Sequence, residues 1–285
     1  MIELLKPWQA QDLSGWTRSG KEGAPTVHFL HGNGFSSTTL LPVGLGLPAD
    51  WNLLFTDVPG HGLSVQPKGY MPDWLGMARK IGDALAARVS GPIIGVGHSM
   101  GGVMTLMIAA ERPELFSRIV LLDPIFFTPE IIMLQRLARK TGLWRRNKLV
   151  VRTTSRRKHW PDQASMKADL ARKELYKSWR DDALQAFVEG GSKPAPEGGV
   201  ELCCAPEWEA SIFGSYPRGL WQAARTVQVP VHILLAEQSY DFIKRSAVRA
   251  QKANAKVEYQ VVPGSHCFPM ESPERVVEFL LNLPQ

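Results

Sequence analysis

Cysteine is scarce in this sequence, and no cysteine has the spacing of a disulfide framework or of a metal site. Two of the three, Cys203 and Cys204, are adjacent, so a bond between them would close a strongly strained ring. With no metal-ligand spacing among the three cysteines, we expect three reduced thiols and a cytoplasmic protein. The class of small secreted domains held together by disulfides is excluded.

Long apolar stretches are also missing. No uninterrupted run approaches the roughly 18 apolar residues of a membrane-spanning helix, so we expect no membrane span. The first residues, MIELLKPWQAQD, contain an early acidic residue and no apolar core, which is unlike a signal peptide. With 44% hydrophobic and 21% charged residues in 285, the composition is that of an ordinary globular protein, large enough for one domain with an insertion.

The most informative stretch is IIGVGHSMGGVMTLMIAA, residues 93–110. A short apolar run leads into the sequence GHSMG, Gly97–Gly101, and apolar residues then recur at helical spacing, which predicts strand, sharp turn and helix. In this context Gly-x-Ser-x-Gly indicates a nucleophile elbow, because a serine on a strained turn needs small neighbours where strand and helix cross. The bare pattern also arises by chance in glycine-rich chains, but the flanking strand and helix make Ser99 the predicted nucleophile.

Strand-like and helix-like segments alternate along most of the chain. Short apolar runs predict buried strands, and they lie at Thr26–Leu30, Asn52–Thr56, Ile93–Val96, Ile119–Leu122, Val231–Leu235 and Val257–Val262. Alternation of strands with helices is typical of a parallel sheet that is covered on both faces. The N-terminal segment favours an antiparallel hairpin at one sheet edge, and the last strand alternates apolar and polar residues as an edge strand does.

The alternation stops between residues 126 and 225, where the pattern predicts mainly helices. These are expected at 129–140, 162–179, 181–189 and near 208–224, with a flexible glycine-rich loop at 190–199. A long helical stretch between two sheet strands is best explained as a cap over the carboxyl edge of the sheet. We therefore expect a core of residues 1–125 and 226–285 and a helical cap of residues 126–225.

The beginning of this cap is strongly basic. Residues 127–160 contain ten Lys or Arg and one acidic residue, a local net charge of +9 against +6 for the whole chain. Such a patch would attract an anionic substrate, phosphate groups or an acidic membrane surface, but it is also what a solvated cap surface contains, and the sequence favours that simpler interpretation. Because no nucleic-acid-binding module or aromatic interleaving accompanies the charge, no nucleic-acid partner is expected.

Polar residues follow several of the predicted strands, at the edge where ligands bind in open α/β sheets. The glycine-rich loop His31–Gly34 is either a plain turn or a loop that presents the backbone N–H of Asn33, together with that of Met100, to a developing oxyanion. Asp123 ends the strand after the elbow helix. His266 comes last, so that serine, acid and histidine occur in the order that the hydrolase arrangement requires.

Four motifs together resemble the α/β-hydrolase superfamily, in the branch with a serine nucleophile and a helical cap after the sixth strand. They span nearly the whole chain outside the cap, at His31–Gly34, Asp57–Ser64, Gly97–Gly101 and 264–269. The resemblance implies an α/β fold with a mostly parallel eight-stranded sheet, helices on both faces and a cap insertion. It also implies the site residues: nucleophile Ser99, general base His266, and oxyanion donors Asn33 and Met100.

The acid of the triad departs from the family's usual pattern. The usual position, about three residues beyond the end of the seventh strand, is occupied here by Ser239, and Asp241 lies two residues later. Some relatives place the acid after the sixth strand, where this chain has Asp123. We therefore expect Asp123 to be the triad acid, with Asp241 as the alternative.

The expected activity is cleavage of a carboxylic ester or related acyl bond through an acyl-enzyme, on a small acyl substrate that is anionic or apolar. The same triad serves C–C hydrolases, thioesterases and cofactor-free perhydrolases, which remain alternatives, as does a catalytically idle binding module with a basic cap. No cofactor and no metal are expected. Contact of the basic cap with a membrane surface is a further interpretation.

Overall fold

The first part of the chain alternates strands and helices as its periodicity predicts. The computed structural model describes residues 2–69 and 71–283. After a 3-10 helix, Ile2–Leu4, the elements are β1 (Lys6–Ala10), β2 (Leu13–Arg18), β3 (Thr26–Leu30), a 3-10 helix (Ser37–Leu40), α1 (Leu41–Leu45), β4 (Asn52–Thr56), α2 (Trp74–Ala86), β5 (Ile93–His98), α3 (Met100–Glu111), a 3-10 helix (Pro113–Leu115) and β6 (Phe116–Leu122).

Residues 126–225 form mostly helices, as expected, together with a small sheet that the sequence pattern did not predict. The elements are α4 (Pro129–Thr141), a 3-10 helix (Leu143–Arg146), α5 (Lys148–Thr154), β7 (His159–Trp160), α6 (Gln163–Ala171), α7 (Asp181–Gly191), β8 (Ser192–Pro194), β9 (Val200–Leu202), α8 (Pro206–Phe213) and α9 (Leu220–Thr226). The three short strands pair antiparallel in the order β7-β9-β8.

Three local expectations in this segment were wrong. The helix expected over 162–179 ends at Ala171, and the glycine-rich loop at 190–199 contains β8 and the turn of a hairpin. The helix expected near 208–224 is divided into α8 and α9, because Gly214, Pro217 and Gly219 lie between them and neither residue type favours a helix interior. Gly219 has a φ of 88°, which a continuing helix does not allow.

The chain then returns to the sheet with β10 (Val231–Gln238), α10 (Asp241–Ala253), β11 (Val257–Ser265), α11 (Phe268–Glu271) and α12 (Pro273–Leu281). Eight strands form one sheet in the order β1-β2-β4-β3-β5-β6-β10-β11. β1, β2 and β4 are joined by antiparallel pairings, and all pairings from β4 to β11 are parallel. The mostly parallel eight-stranded sheet with an edge hairpin is confirmed.

Both faces of the sheet are covered, because alternate strand residues belong to two separate apolar clusters. In β6, Ile119 and Leu121 belong to one cluster, and Val120 and Leu122 to the other. The first cluster contains the apolar residues of α2, α3, α9 and α10, and the second contains those of α1, α7 and α12. This two-sided burial explains why the parallel strands are continuously apolar in sequence.

Two further sequence expectations concern helices and thiols. None of the helices within residues 2–69 and 71–283 combines the length and the hydrophobicity that crossing a bilayer requires. All three cysteines carry free thiols, as predicted. Burial raises the pKa of Cys267 to about 12, so that its thiol stays protonated at neutral pH.

Candidate active site

The turn between β5 and α3 holds Ser99 in a strained backbone conformation. Its φ is 54° and its ψ is −116°, a combination that non-glycine residues rarely adopt. A Cβ on Gly97 would lie 2.5 Å from the Gly101 carbonyl oxygen, and a Cβ on Gly101 would lie 2.2 Å from the Leu30 carbonyl oxygen. The motif therefore contains glycine at both positions because backbone atoms of neighbouring segments occupy the space that side chains would need.

The structure brings Ser99, His266 and Asp123 into one hydrogen-bonded chain. The Ser99 Oγ lies 2.9 Å from the His266 Nε2, and the His266 Nδ1 lies 2.6 Å from the Asp123 Oδ2. Because a carboxylate only accepts hydrogen bonds, Nδ1 carries a proton, and the neutral imidazole then presents Nε2 as an acceptor to the Ser99 hydroxyl. The geometry is that of a nucleophile beside a base that is oriented by an acid.

Asp123 is fully buried just beyond β6, where its φ is 42°. Its Oδ1 accepts a hydrogen bond from the backbone N–H of Ala236 at 2.9 Å, and its Oδ2 accepts one from the Ser239 hydroxyl at 2.7 Å. Asp241, the alternative acid, is exposed in the first turn of α10, and among the described residues no hydrogen bond joins it to His266. The structure thus places Asp123, and not Asp241, against the histidine.

Ser239 is a contact that the sequence pattern did not identify. It stands after β10 at the usual position of the acid, and its hydroxyl donates to a carboxylate that comes from the end of β6. β6 and β10 are parallel neighbours in the sheet, so their carboxyl ends meet at the same edge. The sequence signal is a serine after one strand and an aspartate after another, and it becomes informative only once these strands are known to be adjacent.

Two backbone N–H groups near Ser99 are available as hydrogen-bond donors. Met100 begins α3, so its N–H has no partner within the helix, and the N–H groups of Met100 and Asn33 both lack an acceptor among the described residues. Gly32 lies directly against the nucleophile, because a Cβ at Gly32 would be 3.1 Å from the Ser99 Cβ. The loop after β3 and the start of α3 therefore provide donors of the kind that an oxyanion site needs.

Two buried histidines fix the loop after β3. The Gly34 N–H donates to the His61 Nε2 at 3.0 Å, and the Val58 N–H donates to the His31 Nε2 at 3.0 Å. Burial lowers the pKa of His61 to about 4 and holds that of His31 well below its usual value. Both imidazoles are therefore neutral at pH 7, with the lone pair on Nε2 that each backbone donor requires.

His98, the residue before the nucleophile, fixes the backbone at His266. Its Nε2–H donates to the His266 carbonyl oxygen at 2.9 Å. Burial, with a smaller effect of the nearby His266, lowers the pKa of His98 to about 3. His98 is therefore a neutral donor that holds the loop after β11, and it adds no positive charge beside the His266 imidazole.

Aromatic side chains enclose the region around Ser99, whose own surface is only 9% exposed. The Phe35 ring stacks against His98 with a centroid distance of 6.1 Å and meets Trp179 edge-on at 5.2 Å. Tyr240 packs edge-on against the His266 ring at 5.7 Å. An apolar enclosure of this kind lowers the local dielectric and strengthens the hydrogen bonds within it.

A buried ion pair lies beside the loop after β3. The Arg156 Nη1 donates to the Glu209 Oε2 at 2.7 Å, and its Nη2 donates to the Tyr176 hydroxyl at 3.3 Å. The Glu209 carbonyl oxygen in turn accepts a hydrogen bond from the Asn33 side-chain amide at 3.1 Å. Burial raises the pKa of Glu209, and the adjacent guanidinium opposes that effect. Arg156 therefore differs from the other basic residues of 127–160, because its charge is neutralised inside the protein.

Metal-ligating side chains do not cluster in the part of the chain that the structure describes. No group of three or more His, Cys, Asp or Glu there is arranged to hold a metal ion. Ser99 instead has an imidazole within hydrogen-bond distance, with a carboxylate behind it.

Known proteins are similar in sequence to this chain over most of its length. A model of the alpha/beta hydrolase family matches residues 29–279. The chain is 26% identical over 264 residues to 2-(acetamidomethylene)succinate hydrolase of Mesorhizobium japonicum, with 92% of this chain and 88% of that protein covered. It is 24% identical over 301 residues to human serine hydrolase-like protein 2, with 100% and 93% covered.

The crystal structure of an esterase from Mycobacterium tuberculosis has the same fold, with a TM-score of 0.73. It is 21% identical to this chain, and the match covers 97% of this chain and 89% of the esterase. A likeness at this identity establishes the fold alone. Because the family model matches residues 29–279 and named hydrolases align over most of the chain, this protein is an enzyme of the α/β-hydrolase family.

Proposed function

We propose that this enzyme is a serine hydrolase that cleaves a carboxylic ester or a related acyl bond through an acyl-enzyme intermediate. One observation carries the proposal: the Ser99 Oγ lies 2.9 Å from the Nε2 of an imidazole whose Nδ1 lies 2.6 Å from a buried carboxylate. A serine hydroxyl is a weak nucleophile on its own, and a base within hydrogen-bond reach is what activates it.

The first half of the reaction transfers the acyl group to Ser99. As the Ser99 Oγ bonds to the acyl carbon, His266 Nε2 takes the hydroxyl proton and the carbonyl electrons move onto oxygen. The tetrahedral intermediate then collapses, the bond to the leaving group breaks, and His266 returns the proton to that group. In the second half, His266 takes a proton from water, the resulting hydroxide attacks the acyl carbon, and the free acid leaves as Ser99 regains its proton.

The neighbouring groups have separate roles in this mechanism. The N–H groups of Asn33 and Met100 hold the oxyanion, and the loss of one such donor typically costs about 3 kcal/mol of barrier. Asp123 keeps the His266 proton on Nδ1 and stabilises the imidazolium. Ser239 is a positioning residue, because it acts by holding the carboxylate of Asp123 through the 2.7 Å hydrogen bond.

Residues 126–225 are proposed to form the cap over this site, on the core of residues 1–125 and 226–285. Supporting contacts join the segment to the loops at the carboxyl edge of the sheet. Trp208 Nε1 donates to the carbonyl oxygen of Pro59 at 3.1 Å, and the ring of Trp179 meets Phe35 edge-on. The free thiols accord with the predicted cytoplasmic location.

The substrate class that we propose is a small molecule with an ester or similar acyl bond next to an apolar group. The aromatic enclosure around Ser99 supports an apolar acyl chain. An anionic substrate is the alternative to test, because one relative is named for a succinate derivative. A panel of p-nitrophenyl esters with increasing chain length, and with or without a terminal carboxylate, separates the two.

The test of the proposed function compares Ser99→Ala with Ser155→Ala, which removes an exposed hydroxyl just after α5 that donates to the Val151 carbonyl oxygen. We expect Ser99→Ala to lower the rate of p-nitrophenyl butyrate hydrolysis by about 10⁴-fold or more while the thermal unfolding midpoint stays close to that of the parent. Ser155→Ala should retain parental activity. A fluorophosphonate probe should label the parent and not Ser99→Ala. Parental activity in Ser99→Ala would refute the nucleophile, and failure of the parent to react with the probe would favour an idle binding module.

A further inference from the structure

The outer face of α4 exposes large apolar side chains to solvent. Met133, Leu134 and Leu137 are 67%, 62% and 58% exposed. Residues spaced by three and four lie on one side of a helix, so these three form a continuous stripe. Arg136 and Lys140 lie on the same exposed side of the helix. This is the combination of apolar and basic residues that interfacial helices present to a lipid surface.

The inner face of α4 contains Ile132, which packs against the core, and one arginine. Arg139 points toward the protein, where its guanidinium stacks on the Trp144 ring at 3.8 Å and its Nη2 donates to the Ser211 hydroxyl at 3.3 Å. A helix that only covered a core would place its leucines inward and its arginines outward. In α4 three large apolar side chains face outward beside Arg136 and Lys140, and a solvated surface does not explain why leucine occupies those exposed positions.

Exposed apolar side chains continue in the neighbouring elements. Leu143 in the 3-10 helix Leu143–Arg146 and Leu149 and Val151 in α5 are also exposed, so six of the fourteen exposed large hydrophobic residues in the described chain lie between 133 and 151. Five basic side chains in this region form no ion pair with a described carboxylate, namely Arg136, Lys140, Arg146, Lys148 and Arg152. The region therefore combines exposed apolar area with positive charge that is not neutralised.

We propose that the exposed face of Pro129–Thr154, called here the α4–α5 surface, docks on a membrane that contains anionic lipid. The apolar side chains enter the boundary between headgroups and acyl chains, and the unpaired basic residues meet the lipid phosphates. Each Lys or Arg near an anionic surface typically strengthens binding about fivefold. The acyl chemistry proposed for Ser99 is not needed for this docking.

Charge decides between this occupant and the alternatives. A second copy of the chain would bring the same cluster of positive charges against itself, and like charges across an interface are repulsive. An anionic lipid surface complements the basic residues and the leucines together.

The experiment is sedimentation of the 285-residue chain with vesicles of phosphatidylcholine alone and of phosphatidylcholine mixed with phosphatidylserine. We expect binding to the anionic vesicles that weakens as salt is added, and little binding to phosphatidylcholine alone. Arg136→Gln/Lys140→Gln should weaken binding about 25-fold, since two basic residues are removed. Leu134→Gln/Leu137→Gln keeps the basic residues and removes two of the apolar side chains that enter the bilayer. It should therefore weaken binding as well.

The matched control is Lys6→Gln/Lys21→Gln, which removes two exposed lysines outside the α4–α5 surface, one in the edge strand β1 and one in the loop between β2 and β3. It should bind as the parent does, and equal thermal unfolding midpoints should verify that all variants are folded. Absence of parental binding to anionic vesicles, or equal losses in the control and the Arg136→Gln/Lys140→Gln variant, would overturn the proposal. The proposal would also be overturned if light scattering showed a dimer of the parent that Leu134→Gln/Leu137→Gln dissociates. None of these readouts depends on hydrolysis, so the docking and the proposed chemistry fail separately.

Discussion

The sharpest prediction concerns Asp123→Asn, a change that keeps the size of the side chain and removes its charge. The backbone N–H of Ala236 donates to Oδ1 and cannot turn away, so the asparagine oxygen must remain at that position. The amide nitrogen then occupies the Oδ2 position and donates toward His266. His266 must therefore accept at Nδ1, which moves its own proton to Nε2, the atom that faces Ser99.

The expected magnitude follows from that tautomer change. An Nε2 that carries a proton cannot take another from the serine, so the base is absent although the geometry is kept. The same substitution in the well-studied serine protease triad lowers kcat by about 10⁴-fold, which corresponds to about 5.5 kcal/mol of barrier. We expect a loss of this order in kcat for p-nitrophenyl butyrate, with KM nearly unchanged.

Asp241→Asn is the matched control, because Asp241 is the competing aspartate and is exposed at the start of α10. Its activity should stay within about twofold of the parent, as expected for a surface substitution. Measuring both variants under the same conditions decides the acid. If Asp241→Asn lost the larger share of kcat, the role assigned here to Asp123 would be wrong.

Two further predictions follow from the hydrogen bonds and the buried histidines. Ser239→Ala removes one of the hydrogen bonds to Asp123 and should lower kcat about tenfold at constant KM. Ser239→Thr keeps a hydroxyl and should restore most of kcat. An unchanged kcat in the alanine variant would show that Ser239 does not position the acid. Stability should fall as the pH drops from about 6.5 to about 4. Burial lowers the pKa of His28 and His98 to about 3 and that of His61 to about 4. In this pH range the unfolded chain therefore binds protons that the folded chain excludes. Between pH 7 and pH 5, each of these three histidines lowers the free energy of unfolding by about 2 kcal/mol. Asp57, whose pKa burial raises to about 6, is a single group that changes stability in the opposite direction. Urea unfolding at pH 7 and pH 5 measures the difference, and equal free energies of unfolding would contradict the reasoning.

Local sequence determined a large part of this protein. The strand periods, the glycines at 97 and 101 and the apolar run after Ser99 act over a few residues, so they predicted the parallel sheet and the elbow without tertiary information. The close approach of Gly101 to the Leu30 carbonyl oxygen explains why that motif can be recognised from sequence, because this single backbone contact leaves room only for glycine.

Tertiary structure decided everything that depends on which strand ends are neighbours and which faces are covered. Asp123 and Ser239 are 116 positions apart in sequence and meet because β6 and β10 pair, which the period of neither strand reveals. Helix periodicity located α4 well, but it did not show that Leu134 and Leu137 face solvent, because the face a helix buries is chosen by what packs against it. Spacing along the chain reports local conformation, whereas contacts between distant segments depend on the arrangement of the whole sheet.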